Sequence, residues 1–298
     1  MSNLSIQEAQ SVLLNLFKIA DELCRKHNIE YWIDGGTLLG ARRNGEFIPW
    51  DDDLDLCFLP DDFYRFQSLM REEVFPEQKH LFFYNDARPF PHYSEYFADT
   101  RYLRNGHYPL KIDIILVKSL PNNSEIIKRD ESMVSFVHFF KFFKFKDLNK
   151  VFPADIAKYL KNPSGLLVRE YYIKELISYG ACLNEKNNNH LYSYIYNDMY
   201  VAKEREYYTY EDIFPLKEID FEGISAYCPN NTDSYLTILY GEHFIQPPPK
   251  NQQQPFADKI QKSNTPVFLR KKIVYILYYL KSIMNAWRVR KALKKLNL

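Results

Sequence analysis

Cysteine is scarce in this chain. The four residues, Cys24, Cys57, Cys182 and Cys228, fit neither a zinc ribbon nor a CxxC redox pair. A reduced, cytosolic setting is the simplest reading, with Cys57, inside an apolar run, as a buried free thiol. No stretch approaches the roughly 20 uninterrupted apolar residues of a spanning helix. The opening MSNLSIQEAQ lacks a basic-then-apolar pattern, so no secretory leader is expected there. No internal repeat is found. Acid is missing from 265–298, which hold nine Lys or Arg, while the other 264 residues carry 30 basic and 38 acidic side chains. A mildly acidic body therefore bears a basic tail, and general nucleic-acid binding is not expected.

What is present is ordinary globular material. The 298 residues are 46% hydrophobic and 26% charged, and 24 Tyr, 22 Phe and 3 Trp supply ample core. The length suits one large domain or two modest ones. Ser5-Ile6-Gln7-Glu8 reads as a capping box ahead of a stripe at Leu13, Leu16, Phe17, Ala20, Leu23 and Cys24, which predicts a helix over about 6–27. Tyr31-Trp32-Ile33 reads as a strand stopped by Gly35-Gly36. One or two helical turns over Thr37–Ala41 and a loop over 42–50 follow. A second strand is expected over 54–58, then a helix capped by Asp61 or Asp62 and running to about Glu73. Aromatic and β-branched segments near 81–84, 95–103 and 112–117 read as strands. The mixed order predicts an α/β (α+β) sheet domain over about 1–120. A helical, aromatic-rich region over 121–260 and a basic amphipathic tail over 261–298 complete the expected organisation. Phe136–Phe145 is dense in Phe and Lys, Glu185–Asn189 reads as a loop between helices, and Phe221-Glu222-Gly223 reads as a strand and turn. A helix over Tyr235–Tyr240, ended by Gly241, and a linker through Pro247-Pro248-Pro249 close the body.

The chemistry concentrates in Tyr31–Phe58, YWIDGGTLLGARRNGEFIPWDDDLDLCF. A bare Asp triplet is most often a solvated turn. Here Asp53-Leu54-Asp55-Leu56 alternates acid with apolar residues, so a strand would set Asp53 and Asp55 on one face. Paired carboxylates repel each other unless a cation neutralises them, and closely spaced oxygens suit Mg²⁺ or Mn²⁺. Asp113, flanked by Lys111-Ile112 and Ile114-Ile115, costs several kcal/mol in an apolar strand unless paired or bound to metal. If that strand lies beside the first, three carboxylates converge. Gly35-Gly36-Thr37 opens a helix after a strand, where backbone N–H groups approach phosphate, although a tight turn alone is the commoner explanation. Together these features form the pattern of a nucleotidyltransferase-type palm.

The run GGTLLGARRNGEFIPWDDDLDL closely resembles the LicD family of phosphocholine transferases, with support from Phe221-Glu222-Gly223 and from YLTILYGEHFIQPPP at 235–249. The resemblance implies a nucleotidyltransferase-like mixed sheet with flanking helices. It also implies Mg²⁺-dependent transfer of a phospho-alcohol, choline phosphate first, from a CDP-linked donor to a sugar hydroxyl of a cell-surface glycan such as lipopolysaccharide, with release of CMP. It makes Asp53 and Asp55 metal ligands, and leaves Asp51, first in the motif, without a fixed role. Gly35, Gly36, Thr37 and Arg43 become donor-phosphate contacts. Asp113 is either a third metal ligand or the base that takes the hydroxyl proton. Arg42 gets no role. Arg101, Arg104 and Lys111 are further phosphate candidates, with a surface ion pair as the commoner fate. His92 and His107 are left out.

Rival readings remain open at this point. Ribitol or glycerol phosphate could replace choline phosphate. A nucleotidyltransferase would release pyrophosphate, a D-x-D glycosyltransferase would release a nucleoside diphosphate, and an interaction protein would bind no nucleotide. Tyr171, Tyr172, Tyr192 and Tyr194 are candidates for stacking on sugar or cytosine, but their spacing favours core packing. Ile273, Leu277, Leu280, Met284 and Trp287 form one helical stripe in the basic tail. That helix either contacts an anionic membrane peripherally at its inner face, near a lipid-linked oligosaccharide acceptor, or docks on protein.

Overall fold

The computed structural model describes residues 3–85, 94–105, 108–131, 184–195, 207–255, 257 and 259–263. Its first helix starts on the expected capping box. The Glu8 amide donates to Ser5 Oγ at 3.2 Å, and the Ser5 amide donates to Glu8 Oε2 at 2.7 Å. Helix α1 (Ile6–Lys26) then buries Leu13, Leu16, Phe17, Ala20, Leu23 and Cys24. At roughly 1.5–3 kcal/mol for each large apolar side chain, that stripe fixes α1 on the core.

The chain builds a mixed α+β structure. Strands β1 (Trp32–Ile33), β2 (Asp55–Phe58), β3 (Leu81–Asn85), β4 (Ser94–Arg104), β5 (Tyr108–Pro121), β6 (His190–Tyr194), β7 (Tyr208–Thr209) and β10 (Ile260–Lys262) share one sheet. Its main path runs β1-β2-β5-β4-β10. Strand β3 also pairs with β4, β6 with β5, and β7 with β6. Strands β8 (Lys217–Phe221) and β9 (Ile224–Cys228) form a separate hairpin through Glu222-Gly223, both at positive φ. Among the described strands only β2 and β5 pair in parallel. Helix α3 (Pro60–Leu69) begins the crossover between them.

Strand β5 decides where a site can lie. Ile112, Ile114 and Leu116 are at most 1% exposed, whereas Lys111, Asp113 and Ile115 on the alternate face are only partly buried. Helices α1 and α3 pack on β5. An aromatic cluster fills the space between, with Phe58 stacked on Phe66 at 5.3 Å and Phe66 edge-on to Phe83 at 5.6 Å.

Several local expectations shift. Helix α2 (Gly35–Asn44) starts two residues before Thr37 and takes in both glycines, because the first turn of a helix needs no intrahelical amide partners. It ends at Gly45, φ +73°, whose N–H donates to Ala41 O at 2.9 Å. The loop expected from 42 therefore begins only after α2. In α3 the cap position is Leu59, and Asp61 and Asp62 fall in the first turn, where they favour the helix dipole. A π-turn (Met70–Val74) continues it. Strand β2 begins at Asp55, so Asp53 precedes the ladder instead of sharing it. Residues 190–194, expected after the loop to be helical, form β6. Tyr192 and Tyr194 sit two apart, which is a strand period, and both are core residues, 0% and 5% exposed. Helix α4 (Tyr210–Ile213) is short, and α5 (Thr232–Tyr240) ends at Gly241 as expected.

Cys24, Cys57 and Cys228 are free and buried. The amphipathic stripe of 265–298, Phe136–Phe145, Tyr171, Tyr172, Cys182, His92 and His107 lie outside the described residues. Among the described residues, no helix is long and apolar enough to cross a membrane.

Candidate active site

The parallel pairing of β2 with β5 sets Asp55 directly against Asp113. Register partners on neighbouring strands share a face and lie about 4.8 Å apart. The Asp113 N–H donates to Leu54 O at 2.8 Å. Asp55 is fixed on both sides of its own backbone. Its N–H donates to Thr37 Oγ1 at 3.0 Å, and its carbonyl accepts from the Asp34 N–H at 3.1 Å. Thr37, expected to line donor phosphates, is buried and holds Asp55 in place.

The start of α2 closes on the acids. Gly35 has φ +54°, and a Cβ there would stand 2.6 Å from Asp55 Oδ2. A Cβ on Gly36 would stand 2.4 Å from Asp51 Oδ2. Both glycines are therefore required by carboxylates at the helix N-terminus, where the helix dipole suits negative charge. Gly36→Ala is expected to cost about 1–3 kcal/mol in urea unfolding, as an over-packed site does, and to weaken Mn²⁺ binding by displacing Asp51. Mn²⁺ affinity equal to wild type in the folded variant would show that Asp51 need not stay where it is.

The acids form a tight group. Asp51, Asp52 and Asp53 each bring one carboxylate oxygen within 4.8 Å of the others. Burial pushes the Asp51 carboxyl up to about 9, and the neighbouring charge of Asp53 adds to the shift. Burial also raises Asp55 well above the carboxylate range, reinforced by the charges of Asp53, Asp113, Asp34 and Asp51. Asp113 is raised by burial and held back by the Lys111 ammonium. Asp55 and Asp113 face each other in register, and the charge of Asp53 acts on both. This oxygen-only set, short of counter-charge, has the donor chemistry of a site for a hard divalent cation.

The basic candidates divide. Arg43 donates to the carbonyls of Phe244 and Gln246, the latter at 2.8 Å, so its described contacts tie α2 to 244–246 and do not reach the acids. Arg42 pairs with Asp233 at 2.6 Å. Arg101 turns to Asp99 at 2.6 Å. Arg104 makes a 3.0 Å pair with Asp52, and the Ala257 N–H donates to the other Asp52 oxygen at 2.9 Å. Lys111 contacts Asp113.

Sequence reasoning passed over two supporting residues. Asp34, at the cap position of α2, is 1% exposed and accepts from Tyr194 Oη at 2.8 Å and Cys57 Sγ at 3.3 Å. Its signal was available, since an acid directly after Tyr31-Trp32-Ile33 poses the same burial problem as Asp113. Gln10 left no local signal. Its Nε2 donates to Ile48 O at 3.1 Å and Asp51 O at 2.9 Å, holding the acidic loop from α1.

Several known proteins are similar to this chain. The family model described as LicD/FKTN/FKRP, nucleotidyltransferase domain, matches residues 28–154. The lipopolysaccharide cholinephosphotransferase LicD of Haemophilus influenzae is 26% identical over 276 residues, covering 85% of this chain and 96% of that protein. A protein of Rickettsia typhi is 48% identical over 58 residues, 20% of this chain and 19% of its own. The ribitol 5-phosphate transferase FKRP of mouse is 44% identical over 46 residues, 15% of this chain and 9% of that one.

Proposed function

We propose, from the match of residues 28–154 to the LicD family model and the likeness to the Haemophilus influenzae cholinephosphotransferase, that this chain is a LicD-type transferase that moves choline phosphate from a CDP-linked donor to a sugar hydroxyl of a cell-surface glycan. The observation that carries this reading is the helix start of Gly35-Gly36 packed directly on Asp55 and Asp51, with Asp113 in register alongside. A phosphate-sized group above those glycines would meet backbone N–H donors on one side and the acid cluster on the other.

In the reaction, the glycan hydroxyl oxygen attacks the phosphorus that bears the alcohol. A new P–O bond forms, the P–O bond to CMP breaks, and the hydroxyl proton is lost to a carboxylate or to water. Asp53, Asp55 and Asp113 would hold Mg²⁺ or Mn²⁺, which supplies neutralisation of the diphosphate and of the leaving CMP. Asp113, partly exposed, would serve as ligand or as proton acceptor. Thr37 and Asp34 fix the backbone of Asp55.

Ribitol phosphate is the second reading, favoured by the local likeness to the mouse ribitol 5-phosphate transferase. A thermal-shift series with CDP-choline, CDP-ribitol and CDP-glycerol, each with Mg²⁺, separates them. The true donor at 100 times its Kd is expected to stabilise the protein by about 2.7 kcal/mol. Stabilisation by UDP-sugars and by none of the CDP compounds would overturn the proposal in favour of a glycosyltransferase.

A further inference from the structure

We infer that Lys111 is a phosphate-binding residue that changes partners, resting on Asp113 in the free protein and contacting diphosphate oxygens of the donor in the complex. The inference deepens the proposed function and rests on it. A donor diphosphate brings negative charge to a site already lined by Asp51, Asp53, Asp55 and Asp113, so cationic side chains are needed there as well as any metal. Among the described residues, three arginines near the motif are committed elsewhere. Arg104 pairs with the fully buried Asp52, Arg43 is held by the backbone carbonyls of 244 and 246, and Arg101 is held by Asp99.

Lys111 differs from all three. It contacts Asp113, itself a proposed metal ligand, and the face of Tyr96, whose ring centroid is 4.1 Å from Nζ. Its side chain is 16% exposed and that of Asp113 is 19% exposed, so a ligand can reach both. The residue opposite Lys111 on β4 is Ala98, which has little side chain to block the stem. A lysine ammonium is a compact charge on a flexible chain, able to keep its stem in place while its head turns to a new anion. With Asp113 serving as a ligand, the ammonium is freed for phosphate, while Tyr96 still limits where it can go.

Two titrations on the full chain test this: Mn²⁺ alone, followed by electron paramagnetic resonance, and CDP in the presence of Mn²⁺, followed by calorimetry. Lys111→Met is expected to bind Mn²⁺ at least as tightly as wild type, because a competing cation is gone. It is expected to bind CDP about tenfold or more weakly, the loss typical of one charge-assisted contact. Lys111→Arg should recover most of the CDP affinity. If Lys111→Met does not fold, as judged by circular dichroism, Lys111→Gln replaces it with the same expectations. CDP affinity within twofold of wild type overturns the inference, and so does a parallel loss of Mn²⁺ and CDP, which would make Lys111 a support for Asp113 only. Wild-type protein that binds Mn²⁺ and no CDP overturns the proposed donor, and this role with it. CDP binding that ignores residue 111 overturns the role alone.

Discussion

Asp55→Asn is expected to lower transfer, read as CMP release, by about three orders of magnitude while leaving the metal-free protein at least as stable as wild type. The two effects share one cause. Asp55 is 8% exposed and surrounded by the charges of Asp53, Asp113, Asp34 and Asp51. Keeping it ionised there costs free energy that no described cation fully offsets, since Lys111 leans on Asp113 and Arg104 on Asp52. Asn has the same shape and no charge, so the Thr37 and Asp34 contacts to the residue 55 backbone survive and the repulsion falls. Activity moves the other way. A metal ligand that neutralises a transferring phosphoryl group is worth several kcal/mol in the transition state, or about a thousandfold in rate. Asp53→Asn should lose similar activity with a smaller change in melting temperature, because Asp53 is only half-buried. The paired measurement is melting temperature with and without Mg²⁺, alongside turnover. A normally folded variant at either position with near-wild-type turnover would remove that residue from the chemistry.

How far the site could be read beforehand depended on where each residue's partners lie in the chain. The capping box and stripe of α1 are local, and they yielded its bounds to within a residue. The acids of 51–55 and the two glycines are also local. Asp113 was reachable without a motif, because an acid among isoleucines needs a reason to be there. The parallel register that pairs it with Asp55 is a tertiary fact, set by a crossover through α3, β3 and β4. The contacts of Arg43 were out of reach for the same reason. Its partners, Phe244 and Gln246, stand about two hundred residues away, and nothing beside Arg43 announces them. Gly35 and Gly36 looked like a turn because glycine is a poor helix former. The space taken by Asp51 and Asp55, which a Cβ at either position would enter, was not visible in the sequence.

Within the acidic triplet the middle residue should behave unlike its neighbours. Asp52 is fully buried, and both oxygens are engaged, one by Arg104 at 3.0 Å and the other by the Ala257 N–H at 2.9 Å. Its proximity to Asp51 and Asp53 would allow it to ligate a cation, but only by abandoning an arginine that is itself 12% exposed. Asp52→Asn keeps an acceptor for Ala257 and strands the guanidinium, so a loss of about 3–5 kcal/mol in urea unfolding is expected. Arg104→Met should cost a similar amount by leaving Asp52 as an unpaired buried charge. The double variant Asp52→Asn/Arg104→Met should recover most of that loss, a coupling that only a direct pair produces. It should also bind Mn²⁺ within a few-fold of wild type, where Asp53→Asn does not. If instead Asp52→Asn abolishes Mn²⁺ binding and Arg104→Met leaves stability unchanged, the middle acid belongs to the metal and the loop is held by Gln10 and the sheet alone.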